Sequence, residues 1–159
     1  MSFKHSLSSP LSKKQTNVWS LLREGFSVSM IAIKLKTTRQ NINQTRLTAE
    51  AKLSTTLMEV AEANEIQVIK LYPKKAILLG YHPGLKRKAI ITYATNHGIK
   101  VWYWHDNPEE ITDKNFLNQI RKYVLDIAKE QSIEFNTKEK HPVKLAQILF
   151  NKLLLDVRP

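Results

Sequence analysis

Residues 25–46 read GFSVSMIAIKLKTTRQNINQTR, and this stretch decides the fold of the N-terminal part of the chain. Ser27 is a predicted N-cap, because its hydroxyl can accept a hydrogen bond from the free backbone N–H groups of a helix start. Three apolar residues follow at the i, i+3, i+4 spacing of a buried helical stripe: Ile31, Ala32 and Leu35. A second cap signal comes at Thr37 or Thr38, and the next inward apolar residue is Ile42. The stretch predicts two helices joined by a tight turn.

The second of these helices carries polar side chains on its outward side, together with Leu47. Arg, Gln and Asn suit bidentate pairing with guanine or adenine in the major groove of DNA. We therefore predict base contacts by Arg39, Gln40, Asn43 and Gln44, and phosphate contacts by Lys34, Lys36, Thr38 and Arg46. An ordinary solvated helix surface is the alternative. Residues 25–49 contain no Asp or Glu, which favours the DNA interpretation.

The formal net charge of +11 is concentrated in two segments. Residues 1–53 hold nine Lys or Arg and two acids, and residues 67–100 hold seven Lys or Arg and no acid. Residues 54–66 hold three acids and no Lys or Arg, whereas residues 101–159 hold nine of each sign. Clustered basic charge points to a polyanionic partner.

Part of the second basic segment lies on predicted hairpin loops. Lys86, Arg87 and Lys88 follow a Pro-Gly turn, so they are either a wing-like second contact to phosphates or a basic loop that protects a sheet edge. The same two interpretations hold for Lys74-Lys75. We include Lys86, Arg87 and Lys88 among the predicted phosphate contacts.

The whole chain predicts an α+β fold. A three-helix helix-turn-helix with an extended third helix precedes an antiparallel sheet of about four strands, which two C-terminal helices cover. The predicted parts are a flexible arm at 1–10, a DNA-binding domain at 11–47, a connecting and dimerisation helix at 48–65, and a C-terminal α+β domain at 66–159.

Local signals place the helices of this scheme. Ser12 and Gln15 form a capping-box pattern at the start of the first helix. A later helix is predicted from about Thr112 to Ser132, and a last helix begins at Pro142. The apolar stripe of this last helix is predicted to be Val143, Ala146, Leu149 and Leu153. The apolar stripe of the helix from about Thr112 to Ser132 is predicted to be Phe116, Ile120, Val124 and Ile127.

Four short runs rich in β-branched and aromatic residues predict the strands. They are Ile66–Tyr72, Ala76–Tyr81, Ala89–Ala94 and Ile99–Trp104. The links between them are short, which favours an antiparallel meander. In the last run Trp102 and Trp104 share one face, where they either fill the core or line a small-molecule pocket or dimer contact.

The third helix has no Gly or Pro from Asn41 to Glu65. Its apolar strip consists of Ile42, Ala49, Leu53, Leu57, Val60 and Ala61. The sequence leaves open whether this strip packs on the chain's own second domain or on a second copy of the chain.

Residues 11–63 resemble the helix-turn-helix region of the Tfx family of archaeal transcriptional regulators, and more broadly sigma-factor region 4 and LuxR-type modules. The residues that carry the resemblance are Leu11, Ser12 and Gln15, Glu24-Gly25-Phe26-Ser27, Ile31-Ala32, Leu35, and Thr38-Arg39-Gln40-Asn41-Ile42-Asn43. The resemblance implies sequence-specific promoter binding by a dimer. These families carry Gly and then an apolar residue in the turn, where this chain has Lys36 and Thr37.

Other function classes find less support. The absence of cysteine excludes disulfides, thiolate catalysis and Cys-type zinc sites. His82, His97 and His105 with Asp106 are the candidate metal set, but they lack tight metal-ligand spacing. We expect no catalytic site, no metal and no cofactor. The sequence shows neither a signal peptide nor an apolar run of about 18 residues, so we expect a cytoplasmic protein without membrane contact.

The sequence therefore predicts a regulator that binds double-stranded DNA as a homodimer. Its C-terminal domain either dimerises, senses a small-molecule effector or binds a partner. One alternative is a metal-dependent nuclease or recombination protein that contains a helix-turn-helix. Another is a protein-interaction module of a larger assembly, in which Leu53 and Leu57 would bind the partner.

Overall fold

The computed structural model describes residues 9–134, 136 and 141–156. Most of the predicted flexible arm, residues 1–8, lies outside the described residues. The elements are α1 Lys13–Arg23, α2 Val28–Lys34, α3 Arg39–Ala63, β1 Gln67–Tyr72, β2 Ile77–His82, β3 Arg87–Ala94, β4 Gly98–Tyr103, a short 3₁₀ helix Pro108–Glu110, α4 Lys114–Glu130 and α5 Pro142–Asp156. This confirms the predicted α+β class.

The first three helices begin at the predicted caps. The Ser12 hydroxyl accepts the Gln15 N–H at 3.2 Å, and the Gln15 side chain accepts the Ser12 N–H at 2.9 Å, which is the predicted capping box. The Ser27 and Thr38 hydroxyls each accept the N–H three residues later, at 3.1 Å. The small core between these helices consists of Val18, Leu21, Ile31, Ala32 and Ile42.

The four strands form an antiparallel meander in the order β1-β2-β3-β4, as predicted. The edge strand β1 has a bulge between Val68 and Lys70, an irregularity that discourages pairing with another strand. Because consecutive strands reverse direction, the turns at 73–76 and 95–97 lie at one end of the sheet and the turn at 83–86 lies at the other. The two basic turns of the sheet are therefore far apart.

The far half of α3 covers one face of the sheet. Leu53 and Leu57 are fully buried. Their cluster includes Ala49 and Ala61 of α3, Trp19 of α1, and Leu78, Ala89, Ile91 and Tyr93 of the sheet. The apolar strip of α3 is thus covered by the chain's own sheet and not by a second copy. The expectation that Leu53 and Leu57 bind a partner is wrong, because neither side chain reaches the surface.

The helices α4 and α5 cover the opposite face of the sheet. The predicted stripe of α5 is buried. In α4, the predicted stripe residues Ile120, Val124 and Ile127 are also buried. Two details of α4 differ from the prediction. Asp113, not Thr112, is the N-cap, and its carboxylate accepts the N–H of Phe116 at 2.9 Å. Phe116 itself is 45% exposed, because the first turn of α4 extends past the layer that buries Ile120.

The paired indoles belong to this second layer. The ring centroids of Trp102 and Trp104 lie 5.9 and 6.3 Å from that of Phe150 in α5. Both side chains therefore pack against the core and do not line a pocket. In the described part of the chain, no helix is both long enough and apolar enough to cross a bilayer.

Candidate nucleic-acid interface

The first two turns of α3 present a row of polar side chains to solvent. Arg39, Gln40, Asn43 and Gln44, here named the polar face of α3, are all exposed. Leu47, one turn further on, is 51% exposed. Among the described residues, no group hydrogen bonds or pairs with the four polar side chains. Their donors and acceptors are therefore available to an external partner.

A buried core residue and a hydrogen bond from α1 fix the orientation of the polar face. Ile42 is fully buried between α1 and α2, which fixes the rotation of α3 about its own axis. The Lys14 ammonium of α1 donates to the Asn41 side-chain carbonyl at 2.7 Å. No local pattern indicates this hydrogen bond, because the two residues lie 27 positions apart and meet only once the helices pack.

Thr38 is the N-cap of α3, and its side-chain hydroxyl retains a proton that it can donate. Its hydroxyl oxygen accepts the N–H of Asn41, which secures the first turn. A hydroxyl also carries one donor, so the Thr38 O–H can donate to a phosphate oxygen without breaking the cap. The exposed N–H groups of a helix start attract anions as well. The structure thus leaves Thr38 suited to its predicted role.

Lys36 lies two residues after the end of α2 and has a left-handed conformation, with φ of 54°. The Thr37 N–H donates to the Ala32 carbonyl at 2.9 Å, and the Lys36 N–H donates to the Ile33 carbonyl at 3.2 Å. This pair of bonds is a Schellman motif, which usually has glycine at the left-handed position. The tight turn of the helix-turn-helix therefore forms despite the missing glycine, and the Lys36 side chain is exposed beside the start of α3.

Two further predicted phosphate contacts on the helices differ in their surroundings. Lys34 is exposed, with its ammonium 5.6 Å from the centroid of the Phe26 ring. Arg46 is only 28% exposed in its side chain and pairs with Glu50 at 3.1 Å. Because Glu50 already pairs with Arg46, this guanidinium has less free charge for a phosphate contact than Lys34 or Lys36.

The structure does not bring Lys86, Arg87 and Lys88 to this surface. Arg87 and Lys88 belong to β3, not to a loop, and only Lys86 lies in the 83–86 turn. That turn is at the far end of the sheet from α1. Arg87 donates to the Trp104 carbonyl at 3.4 Å and lies 3.7 Å from Asp106, while Lys88 stacks over the Trp104 ring at 5.1 Å. The prediction that all three residues lie on a hairpin loop is therefore wrong for Arg87 and Lys88.

The candidate metal set is also not assembled. His97 lies in the 95–97 turn, where its ring bonds to the Asp126 carboxylate at 2.7 Å. His82 ends β2 at the opposite end of the sheet, and its ring accepts the Leu85 N–H at 2.9 Å. Within residues 9–134, 136 and 141–156, no three His, Asp or Glu side chains lie close enough together to hold a metal ion. The structure therefore does not bring the candidate metal set together within these residues.

Comparisons with protein-family models, with curated proteins and with solved structures give no match for this chain. The resemblance to helix-turn-helix regulators therefore rests on the sequence pattern of residues 11–63 alone.

Proposed function

We propose that this chain is a cytoplasmic transcriptional regulator that binds double-stranded DNA at specific sequences, with residues 38–47 in the major groove. The observation that carries the proposal is the polar face of α3, four exposed side chains without internal partners among the described residues, on a fixed helix. An α-helix with its side chains is about 10–12 Å across, and the major groove is about 12 Å wide, so α3 fits.

The roles divide between base and phosphate contacts. Arg39, Gln40, Asn43 and Gln44 have the functional groups to pair with base edges, where one good bidentate contact discriminates by about 1–3 kcal/mol. Lys34, Lys36 and Thr38 surround the N-terminus of α3 and would bind the phosphates that border the groove. No acid occurs in residues 25–49, so no like charge opposes the approach of the duplex there.

In this proposal the regulator acts as a homodimer, as in the family it resembles. The apolar strip of α3 is buried against the sheet and is unavailable for that purpose. A dimer must therefore use another surface, and the symmetry of the bound DNA is the most direct sign of it. Two half-sites would lie about 10–10.5 base pairs apart or at a multiple of that spacing.

Selection from random duplexes at two salt concentrations tests the proposal. We expect a defined motif at both concentrations, with a two-fold repeat if the dimer binds, and weaker overall binding at the higher salt. Binding that falls steeply with salt and enriches no motif would show a non-specific polyanion binder. Incubation of plasmid with Mg²⁺ or Mn²⁺ tests the nuclease alternative, and we expect intact plasmid.

A further inference from the structure

One basic turn does lie beside the helix-turn-helix, and it is the 73–76 turn between β1 and β2. The C-terminal end of α1 docks on the sheet end that holds this turn. The Arg23 guanidinium donates to the Lys74 carbonyl, and the Ser20 hydroxyl lies 3.4 Å from that of Thr95 in the neighbouring turn. The backbone of Lys74 is therefore held next to α1 by a direct hydrogen bond.

The backbone of this turn is held on several sides. The Lys75 N–H donates to the Tyr72 carbonyl at 3.2 Å, and the side-chain amide of Gln131, the C-cap of α4, donates to the Lys75 carbonyl at 3.0 Å. The Ala76 carbonyl accepts the N–H of Tyr93 at 3.1 Å. These hydrogen bonds engage backbone groups of the turn and leave the two lysine side chains out of its bonding.

Those two side chains carry uncompensated charge. Lys74 is exposed and Lys75 is half-buried. In the described part of the chain, no carboxylate lies within ion-pair distance of either ammonium group. The contrast with the other end of the sheet is direct, since Arg87 there has Asp106 and Lys88 has the Trp104 ring.

Arg23 links this turn to α3. Its guanidinium lies 4.5 Å from the centroid of the Trp19 ring. Burial lowers the pKa of Arg23, and the carboxylates of Glu130 and Glu50 oppose that shift. Trp19 packs in one buried cluster with Ala49 and Leu53 of α3, so Arg23 and the turn lie beside the part of the helix that includes Glu50. Glu50 follows Asn43 by seven residues, which is two helical turns on the same side of α3 and about 10.5 Å along its axis.

The 73–76 turn thus lies beside the part of α3 that follows its polar face. We propose that Lys74 and Lys75 form a second contact to the DNA backbone, binding phosphates of the strand that borders the groove on the Glu50 side of α3. This inference rests on the proposed function and adds to it a clamp supplied by the C-terminal domain. The clamp would set the angle of the duplex without reading its sequence.

The test compares two double variants that remove the same charge. Lys74→Gln/Lys75→Gln removes the proposed contact, and Lys86→Gln/Lys88→Gln removes two lysines from the opposite end of the sheet. Fluorescence anisotropy gives the dissociation constant of each full-length variant for the selected duplex and for a random duplex over a salt series. The thermal unfolding midpoint verifies that each variant is folded.

For Lys74→Gln/Lys75→Gln we expect the slope of log affinity against log salt to fall by about two, because two phosphates are no longer neutralised by lysine. Both duplexes should be weakened by the same factor, so the sequence preference remains. Lys86→Gln/Lys88→Gln should leave the slope unchanged, and Lys74→Arg/Lys75→Arg should restore it.

Equal slope changes in the two Gln variants would overturn the proposal, because they would reflect the overall charge and not a local contact. An unchanged slope in Lys74→Gln/Lys75→Gln would overturn it as well. If the wild-type protein selects no motif and binds neither duplex, it is the proposed function that fails, and this result is distinct from the other two.

Discussion

The two halves of α3 differ in what their side chains face, although they form one continuous helix of 25 residues. In the first half, the polar face and Leu47 are exposed to solvent. The second half has a buried side, on which the sheet covers Leu53 and Leu57 completely. The difference shows how a single helix can be both a binding element and a core element, because each half is specified by its own side chains.

The buried half also gives the exposed half its rigidity. A free helix frays from its ends, whereas α3 is held by the sheet on one side and by α1 and α2 around Ile42. An element that must place base-reading side chains to within about 0.5 Å benefits from such support. Substitutions in the second half should therefore lower the stability of the fold, whereas substitutions on the polar face should alter DNA binding.

The largest effect is expected from Leu57→Ala in the buried half. Removal of a fully buried leucine side chain should lower the free energy of unfolding by about 2–5 kcal/mol. Leu47→Ala, the same substitution on the exposed half, should change it by less than about 0.5 kcal/mol. Urea denaturation of both variants checks this, and similar decreases in the two would contradict the assignment of the halves.

A smaller effect, on binding and not on stability, is expected from Arg39→Ala. It should relax the preference at one position of the selected motif by about 1–3 kcal/mol, because alanine cannot make the bidentate hydrogen bonds to that base. Lys36→Ala should instead weaken binding to all sequences alike and lower the salt slope by about one. The two variants are compared on the selected duplex and on single-base changes of it. Equal weakening on every duplex for both would show that Arg39 reads no base.

Thr38→Ala should modestly lower both the free energy of unfolding and the affinity for DNA. Removal of the N-cap should lower the free energy of unfolding by about 0.5–2 kcal/mol and loosen the turn that carries Arg39 and Gln40. Thr55→Ala in the interior of α3 removes no cap and should be neutral or slightly stabilising, since alanine favours helix. Thermal unfolding of the pair measures the difference, and a larger destabilisation by Thr55→Ala would contradict the assigned role of the cap.

The smallest effect is expected at the turn that leads into the polar face. Lys36→Gly should raise the free energy of unfolding by about 0.5–1 kcal/mol. Relief of the left-handed conformation is worth about 1–2 kcal/mol, and the extra backbone entropy of glycine costs about 0.5–1 kcal/mol. Lys52→Gly, within the right-handed α3, should lower it by about 1 kcal/mol. DNA binding by Lys36→Gly should weaken although the fold is more stable, and tighter binding would refute the phosphate role of Lys36.

Local signals allowed much of this fold to be predicted. Ser12, Ser27 and Thr38 cap helices through bonds that span three residues, so the sequence beside each cap is sufficient. The meander followed in the same way from short turns between strands. The cap of α4 was misplaced by one residue, since Thr112 and Asp113 are both good caps and only the structure distinguishes them.

Long-range placement could not be predicted. The apolar strip of α3 showed that Leu53 and Leu57 would be buried, but an apolar surface does not specify what covers it. The two basic turns looked alike in sequence, and alternation of strand direction puts them at opposite ends of the sheet. Which end receives α1 depends on packing contacts such as that of Arg23 with Lys74, which no local pattern encodes.

The most direct test of DNA reading by α3 is a site-specific disulfide cross-link between this helix and DNA. The chain contains no cysteine, so a single introduced thiol is unique. Asn43→Cys lies on the polar face, and Met58→Cys, 44% exposed in the native chain, lies in the other half of the same helix. Each is mixed with the selected duplex bearing a thiol tethered to a base in the major groove. We predict a cross-link with Asn43→Cys alone, whereas equal cross-linking of both variants, or of Met58→Cys only, would contradict entry of the polar face into the groove.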